Sequence, residues 1–253
     1  MKDIVGTSIL VTGGGSGIGA GVARTLVERG ARVTISGRRE HKIREVAGEL
    51  GPACLAVPGD VTLAADRERL VEAAVEHGGG LDTLVNAAGN MYRGALAELD
   101  EQRMLDLYHA NVVGPVRLSG LALPALARSK GSIIFFGSVH TQRAFPGASP
   151  YAATKGALES LTGVLASELG AQGVRVNCVR PGAVYTEINE RAGLGTAEEA
   201  HARLQGLAGA HALGRIGTTE EVAEAVVYLA GAEWVTGSIL TVDGGLALGV
   251  THA

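Results

Sequence analysis

Tyr151 and Lys155 stand four positions apart in a segment of helix-like composition, so their side chains share one helical face. A free phenol titrates near pH ~10, too high for efficient proton exchange around neutrality. An ammonium group beside it would favour the phenolate, each unit of lowering corresponding to about 1.4 kcal/mol. Such a phenol can donate a proton to a carbonyl oxygen or remove one from an alcohol. Ser138, just past the apolar run Ser132–Phe136, carries a hydroxyl able to hydrogen-bond that oxygen and stabilise its developing charge.

A second constellation lies near the N-terminus, where Gly13, Ser16, Gly17, Ile18 and Gly19 form a glycine-rich turn between a strand pattern and a helix pattern. Glycines allow a tight turn and close backbone approach to a pyrophosphate, and the helix N-terminus presents unpaired N–H groups to the anion. With 38 glycines in the chain, a cluster alone says little; its placement between strand and helix is what points to a dinucleotide. After the second strand, where an NAD-binding fold usually carries an acid for the ribose 2′-hydroxyl, the sequence reads Gly37, Arg38, Arg39. Two guanidinium groups in place of the acid suit a 2′-phosphate, which predicts NADP(H) in preference to NAD(H). Asp60 and Val61 follow the third strand, and Asn86, Ala87 and Gly89 the fourth. Taken singly, Asp60 serves equally as a helix N-cap and Asn86 as a turn former. Together with the glycine turn they fall on one sheet edge, at the switch point of a doubly wound fold.

The elements that must position these residues alternate along the chain. Strand-like runs at Ser8–Thr12, 32–36, Cys54–Pro58, Thr83–Asn86, Ser132–Phe136, 175–179 and Ile239–Val242 are separated by helix-length segments. This predicts an α/β fold with a mostly parallel, seven-stranded sheet covered on both faces. Helices are expected from Gly17 to a cap at Gly30, and over 64–76, 101–127, 151–169 and 220–229. No repeat or linker divides the 253 residues, so one domain is expected. Residues 186–211 break the alternation; they read either as a lid beside the site or as a solvated surface excursion.

Bulk properties narrow the function classes. The chain is 46% hydrophobic and 19% charged, which suits a packed globule. A net charge of -4 without a basic stripe argues against nucleic acid or an anionic membrane surface as partner. The apolar runs are strand-sized and no secretory leader is visible, so a cytoplasmic protein is expected. Cys54 and Cys178 sit in apolar stretches without neighbouring metal-ligand residues and read as buried thiols rather than a disulfide or metal site.

In order along the chain, Thr12-Gly13-x-x-x-Gly17-Ile18-Gly19, Asp60, Asn86-Ala87-Ala88-Gly89, Asn111, Ser138, Tyr151-x-x-x-Lys155, Pro181-Gly182 with Thr186, and Asp243-Gly244-Gly245 resemble the short-chain dehydrogenase/reductase family over essentially the whole length. The one small departure is Ala87, where the family often has a second Asn. The resemblance implies a doubly wound Rossmann fold and reversible hydride transfer between a nicotinamide dinucleotide and a carbonyl or secondary alcohol. It implies a catalytic tetrad of Asn111, Ser138, Tyr151 and Lys155, with Asn111 structural and relaying protons. It further implies adenine contacts from Asp60 and Val61, contacts near the nicotinamide from Pro181, Gly182, Val184 and Thr186, and a homotetramer built on the long helices. The apolar faces of those helices fit packing on the sheet equally well.

The substrate stays open at this stage. A 3-oxoacyl-carrier-protein reductase would dock an acidic carrier through basic residues; Arg128 and Lys130 suit this, whereas Ala171-Gln172-Gly173 does not. The alternatives are a sugar, polyol or small-alcohol dehydrogenase, or a dinucleotide-sensing protein without chemistry. His140, Gln142 and Arg143 either contact an oxygen-rich or anionic substrate or face water.

Overall fold

Alternation of apolar residues along each strand decides how the layers form. In β1 (Ser8–Thr12), Ile9 and Val11 point to one side of the sheet and Leu10 to the other, and all five residues are buried. In β5 (Ser132–Phe136), Ile134 and Phe136 join the first side while Ile133 and Phe135 join the second. A strand buried on both faces needs helices on both, which is why the strand runs read as almost continuously apolar.

The computed structural model describes residues 1–192 and 195–249. The remaining strands are β2 (Arg32–Gly37), β3 (Cys54–Pro58), β4 (Thr83–Asn86), β6 (Arg175–Pro181) and β7 (Ile239–Val242). They pair in the order β3-β2-β1-β4-β5-β6-β7, all parallel. The chain therefore starts at the centre of the sheet, winds outward to β3, and returns to lay β4 on the other side of β1. Helices α1 (Gly17–Glu28), α2 (Glu40–Leu50) and α9 (Thr219–Gly231) cover one face. The other face is covered by α3 (Ala64–Gly78), α5 (Gly114–Ser129) and α6 (Ser149–Leu169). This is the doubly wound Rossmann architecture expected from the sequence, and its switch point falls between β1 and β4.

Three local features differ from the sequence expectations. Helix α2 was not foreseen: only Ile43 and Val46 of its residues are buried, too sparse an apolar stripe to stand out in a polar segment. The helix expected over 101–127 is α4 (Glu101–Tyr108) and α5 joined by a π-helical turn, His109–Val113, that carries the buried Asn111. Composition does not reveal such a turn, because its residues carry no signal that separates a π turn from an α-helical one; π turns occur mainly at functional sites. The run Glu101–Ser129 is also long and apolar enough to cross a membrane by length and composition, contrary to the reading that apolar runs are only strand-sized. Here it buries Leu118, Ala122 and Leu126 against the sheet, as a core helix does. Segment 186–211 is largely helical among the described residues, with α7 (Glu187–Arg191) and α8 (Ala197–Gln205). Gly193 and Leu194 lie outside the described residues.

Candidate active site

The carboxyl ends of β1, β2, β4, β5 and β6 open into one cavity of about 630 Å³. Its floor begins at the glycine turn. Gly13 has φ +71°, and a Cβ there would stand 2.9 Å from the backbone of Ala88, so both the conformation and the fit against the 86–89 loop require glycine. Ala88 N–H donates to the Thr12 hydroxyl at 3.0 Å, tying the two loops together. Ser16 is the N-cap of α1, yet its side chain caps nothing in the helix. The first-turn N–H groups of α1 are thus left without a side-chain cap, which is the arrangement a phosphate requires. The donor set and the close-packed glycine turn fit a dinucleotide.

At the end of β2, Arg39 donates to the Ser16 hydroxyl at 2.9 Å and forms an ion pair with Glu187 at 2.6 Å. Arg38 lies mostly in solvent, 3.9 Å from Asp60 and within 3.4 Å of Asn90 Oδ1. Glu187, at the start of α7, also faces Lys42 at 3.7 Å and Arg191 at 3.9 Å. Burial pushes its carboxyl up, but Arg39, Lys42 and Arg191 outweigh this and hold it below the ordinary value. Sequence reasoning identified the arginines and missed this carboxylate, which comes from a distant segment. Asp60 does not cap a helix; its carboxylate accepts from the N–H and hydroxyl of Thr62, while Leu63 is the N-cap position of α3. Asn86 is buried at the end of β4 and donates to Ser119 at 3.3 Å. Val61, Ala87 and Gly89 line the cavity together with Pro181, Gly182, Val184 and Thr186. Thr186 lies over the turn so closely that a Cβ on Gly17 would be 2.9 Å from it.

Deeper in, Tyr151 and Lys155 project from one face of α6 and are both buried, with the Lys155 ammonium 5.6 Å from the phenol ring centre. Lys155 Nζ donates to the Phe136 carbonyl at 2.9 Å. Asn111 is held on three sides: it accepts from Asn90 N–H at 2.8 Å and donates to Asn90 O and to Thr154 Oγ1. Ser138 follows β5, its hydroxyl 3.0 Å from His140 Nδ1. The four side chains of the expected tetrad thus converge below the cavity, three of them lining it.

The expectation that Lys155 together with an oxidised nicotinamide favours the phenolate concerns the loaded site; in the protein alone, burial dominates both groups. Burial pushes the Tyr151 phenol up to about 12, opposed only in part by the Ser138 hydroxyl. Burial pulls Lys155 down to about 8, with Cys178 and Glu159 acting the other way. A charge that must leave water is disfavoured whatever its sign, and burial is the largest influence on both groups here. The protein alone therefore holds the phenol protonated, the form that donates to a carbonyl oxygen.

Glu159, four residues beyond Lys155, lies beneath the site. It accepts from Thr141 Oγ1 at 2.9 Å and from two nitrogens of Arg180 on β6 at 2.9 and 2.7 Å. Beyond the phenol, the cavity wall is formed by Met91, Arg93, His140, Phe145, Leu204 and Leu246, with Arg203 projecting from α8. Arg93 donates to Pro146 O at 2.8 Å, and burial followed by the nearby Arg203 charge hold it below its ordinary value. His140 packs on Phe145 and edge-on to Tyr151, with ring centres 4.4 and 5.2 Å apart. Burial, then Arg93 and Lys155, pull it down to about 4, so it is neutral near pH 7. Of the residues considered after Ser138, only His140 reaches the cavity; Arg143 instead donates to Leu246 O at 2.8 Å, and Gln142 lies off the wall.

Comparison with known proteins agrees with this geometry. A family model described as enoyl-(acyl carrier protein) reductase matches residues 13–247. L-fucose dehydrogenase of Bos taurus is 39% identical over 246 residues, covering 96% of this chain and 90% of its own. 3-Oxoacyl-[acyl-carrier-protein] reductase of Mus musculus is 35% identical over 240 residues, covering 95% and 98%. A solved short-chain dehydrogenase/reductase from Serratia marcescens, a double mutant, superposes with a TM-score of 0.87 at 35% identity, covering 97% of this chain and 99% of that one. The chain belongs to the short-chain dehydrogenase/reductase family, oxidoreductases that act on alcohol and carbonyl groups with a nicotinamide dinucleotide.

Proposed function

We propose that the protein is an NADP(H)-preferring ketoreductase or alcohol dehydrogenase in which Tyr151 handles the proton. The observation that carries the reading is the placement of a buried, protonated phenol and the glycine turn on the same cavity. Gly13, Ser16, Gly17, Ile18 and Gly19 hold the pyrophosphate, with Asp60 and Val61 at the adenine. Asn86, Ala87, Gly89, Pro181, Gly182, Val184 and Thr186 line the path towards the reactive ring. Bound there, the dinucleotide supplies or accepts the hydride. Ser138 Oγ orients the carbonyl oxygen, and Tyr151 donates its proton to that oxygen in reduction or removes one in oxidation. Lys155, buried and fixed to Phe136 O, contributes positive charge beside the phenol, while Asn111 holds the Asn90 loop in place.

Cofactor preference rests on Arg39 and the Ser16 hydroxyl, which meet at 2.9 Å where a 2′-phosphate would lie, with Arg38 beside them. Initial-rate comparison tests it: kcat/KM with NADPH exceeds that with NADH by about tenfold or more, and Arg39→Ala removes most of the difference. Equal or better use of NADH by the unaltered enzyme would overturn the preference. Segment 186–211, which supplies Thr186, Glu187 and Arg203 to the cavity, acts as a substrate lid on this single domain. Exposed apolar residues on the long helices, Leu105, Val113, Leu121 and Val164, together with Trp234, support a homotetramer, and a cytoplasmic location goes with this reading.

A further inference from the structure

The substrate half of the cavity has an unbalanced charge. The only carboxylates among its described lining residues are Asp60 and Glu187, both in the dinucleotide half and both facing arginines. Arg93 and Arg203, from the loop after β4 and from α8, make no ion pair among the described residues. Both line the cavity, Arg93 is close enough to Arg203 to feel its charge, and Arg93 is in turn felt by His140 beside Tyr151. Two like charges brought together in a partly desolvated wall repel one another, and a bound anion relieves that repulsion while using guanidinium donors left open. One Arg93 nitrogen is committed to Pro146 O; His140 Nε2 has no partner among the described residues, giving a further polar atom on this wall. The same cavity is lined by the hydrocarbon and aromatic side chains of Phe145, Leu204, Leu207 and Leu246, which pack together.

We infer that the substrate is a small carbonyl compound or alcohol with an oxyanion, a carboxylate or a phosphate, at its far end, bound by Arg93 and Arg203 across a short apolar spacer. This deepens the proposed function and rests on it. A neutral sugar would leave both guanidinium groups uncompensated, and a carrier protein would place its charges outside the cavity rather than within it.

The test measures reduction by NADPH of matched anionic and neutral carbonyl compounds: levulinate and acetoacetate against their methyl esters, and dihydroxyacetone phosphate against dihydroxyacetone. In each turnover the ketone takes a hydride from NADPH and a proton from Tyr151, giving the alcohol and NADP⁺. The expected result is a kcat/KM at least roughly tenfold higher for an anion than for its neutral partner. The carboxylate and phosphate arms show which oxyanion is preferred. Arg93→Met and Arg203→Met each reduce that preference roughly tenfold, with the Kd for NADPH within about threefold of the unaltered enzyme. Arg203 is exposed and its substitution does not threaten folding, so it carries the test if Arg93→Met disturbs the Pro146 loop. A second readout is calorimetric titration of the NADP⁺ complex with levulinate and with inorganic phosphate, expected to bind and to weaken in both variants. Neutral compounds reduced as well as their anionic partners, or a preference that survives both substitutions, overturns the inference. Arginine-dependent anion binding without turnover of any compound would support the anion subsite alone and count against the oxidoreductase reading of Tyr151, and with it against a carbonyl substrate.

Discussion

At the residue scale, burial and spacing do different work. The pairing of Tyr151 with Lys155, and the Ser138 and Asn111 positions, were legible because they sit in fixed motifs; their charge states were not. The phenol at about 12 and the ammonium at about 8 follow from desolvation, a property of the whole packed site that neighbouring residues in the sequence do not reveal. The same limit applied to Arg39. Its two-residue context suggested a 2′-phosphate ligand, but Glu187, far away in sequence, already occupies one side of its guanidinium at 2.6 Å. A 2′-phosphate and this carboxylate compete for one cation and repel each other. Glu187→Gln is therefore expected to tighten NADPH binding roughly two- to fivefold, a partly exposed ion pair being worth up to about 1 kcal/mol. NADH, without the phosphate, should change by less than about twofold; fluorescence titration of both dinucleotides checks this, and weaker NADPH binding would show that Glu187 positions Arg39 instead of competing for it.

At the element scale, periodicity located five of the six helices that cover the sheet and all strands, and what it missed has physical causes. Helix α2 offers only two buried apolar residues, and the π turn at His109–Val113 has no composition of its own. Glu159 could have been noticed as the next residue on the Tyr151–Lys155 helical face, since it continues the four-residue spacing. Its value lies in tying α6 to β6 through Arg180 and to the loop carrying Ser138 through Thr141. The pair is almost fully buried, and donating hydrogen bonds to Glu159 raises Arg180 above its ordinary value. Glu159→Ala leaves Arg180 charged and unpaired, a loss of about 3–5 kcal/mol. For a chain of this size that lowers Tm by roughly 10 °C, measurable by thermal denaturation. The double variant Glu159→Leu with Arg180→Met should recover most of the loss, because the unpaired charge is gone. If Glu159→Ala alone leaves Tm unchanged, the pair does not fasten the helix to the sheet.

At the scale of the whole molecule, the doubly wound sheet explains why residues from so many separate segments meet. Every strand delivers its carboxyl end to one rim, so β1, β2, β4, β5 and β6 each contribute a functional loop to one cavity. The alternation of strands and helices made this visible in advance. Which side chains face the substrate did not follow from it, because Arg93 and Arg203 are placed by a loop and by a late helix rather than by the repeating pattern. The surface has its own asymmetry. Trp234 is 99% exposed near the start of the β7 strand, and Leu121 and Val164 add apolar area on the long helices. A residue of that size in water is costly unless another subunit covers it. Light scattering should give a mass of four chains, and Trp234→Glu should shift it towards smaller species; a monomer before substitution would rule out the assembly.

The account turns on the Tyr151 proton. Loss of NADPH absorbance in the presence of carbonyl compounds, compared between the unaltered enzyme and Tyr151→Phe, measures its role most directly. The predicted result is a fall in kcat of about 10²–10⁴-fold with the Kd for NADPH unchanged, since the ring remains and only the hydroxyl is lost. A Tyr151→Phe enzyme that retains kcat within about tenfold would contradict it, because general acid–base catalysis by that group would then be worth too little to be the basis of the mechanism.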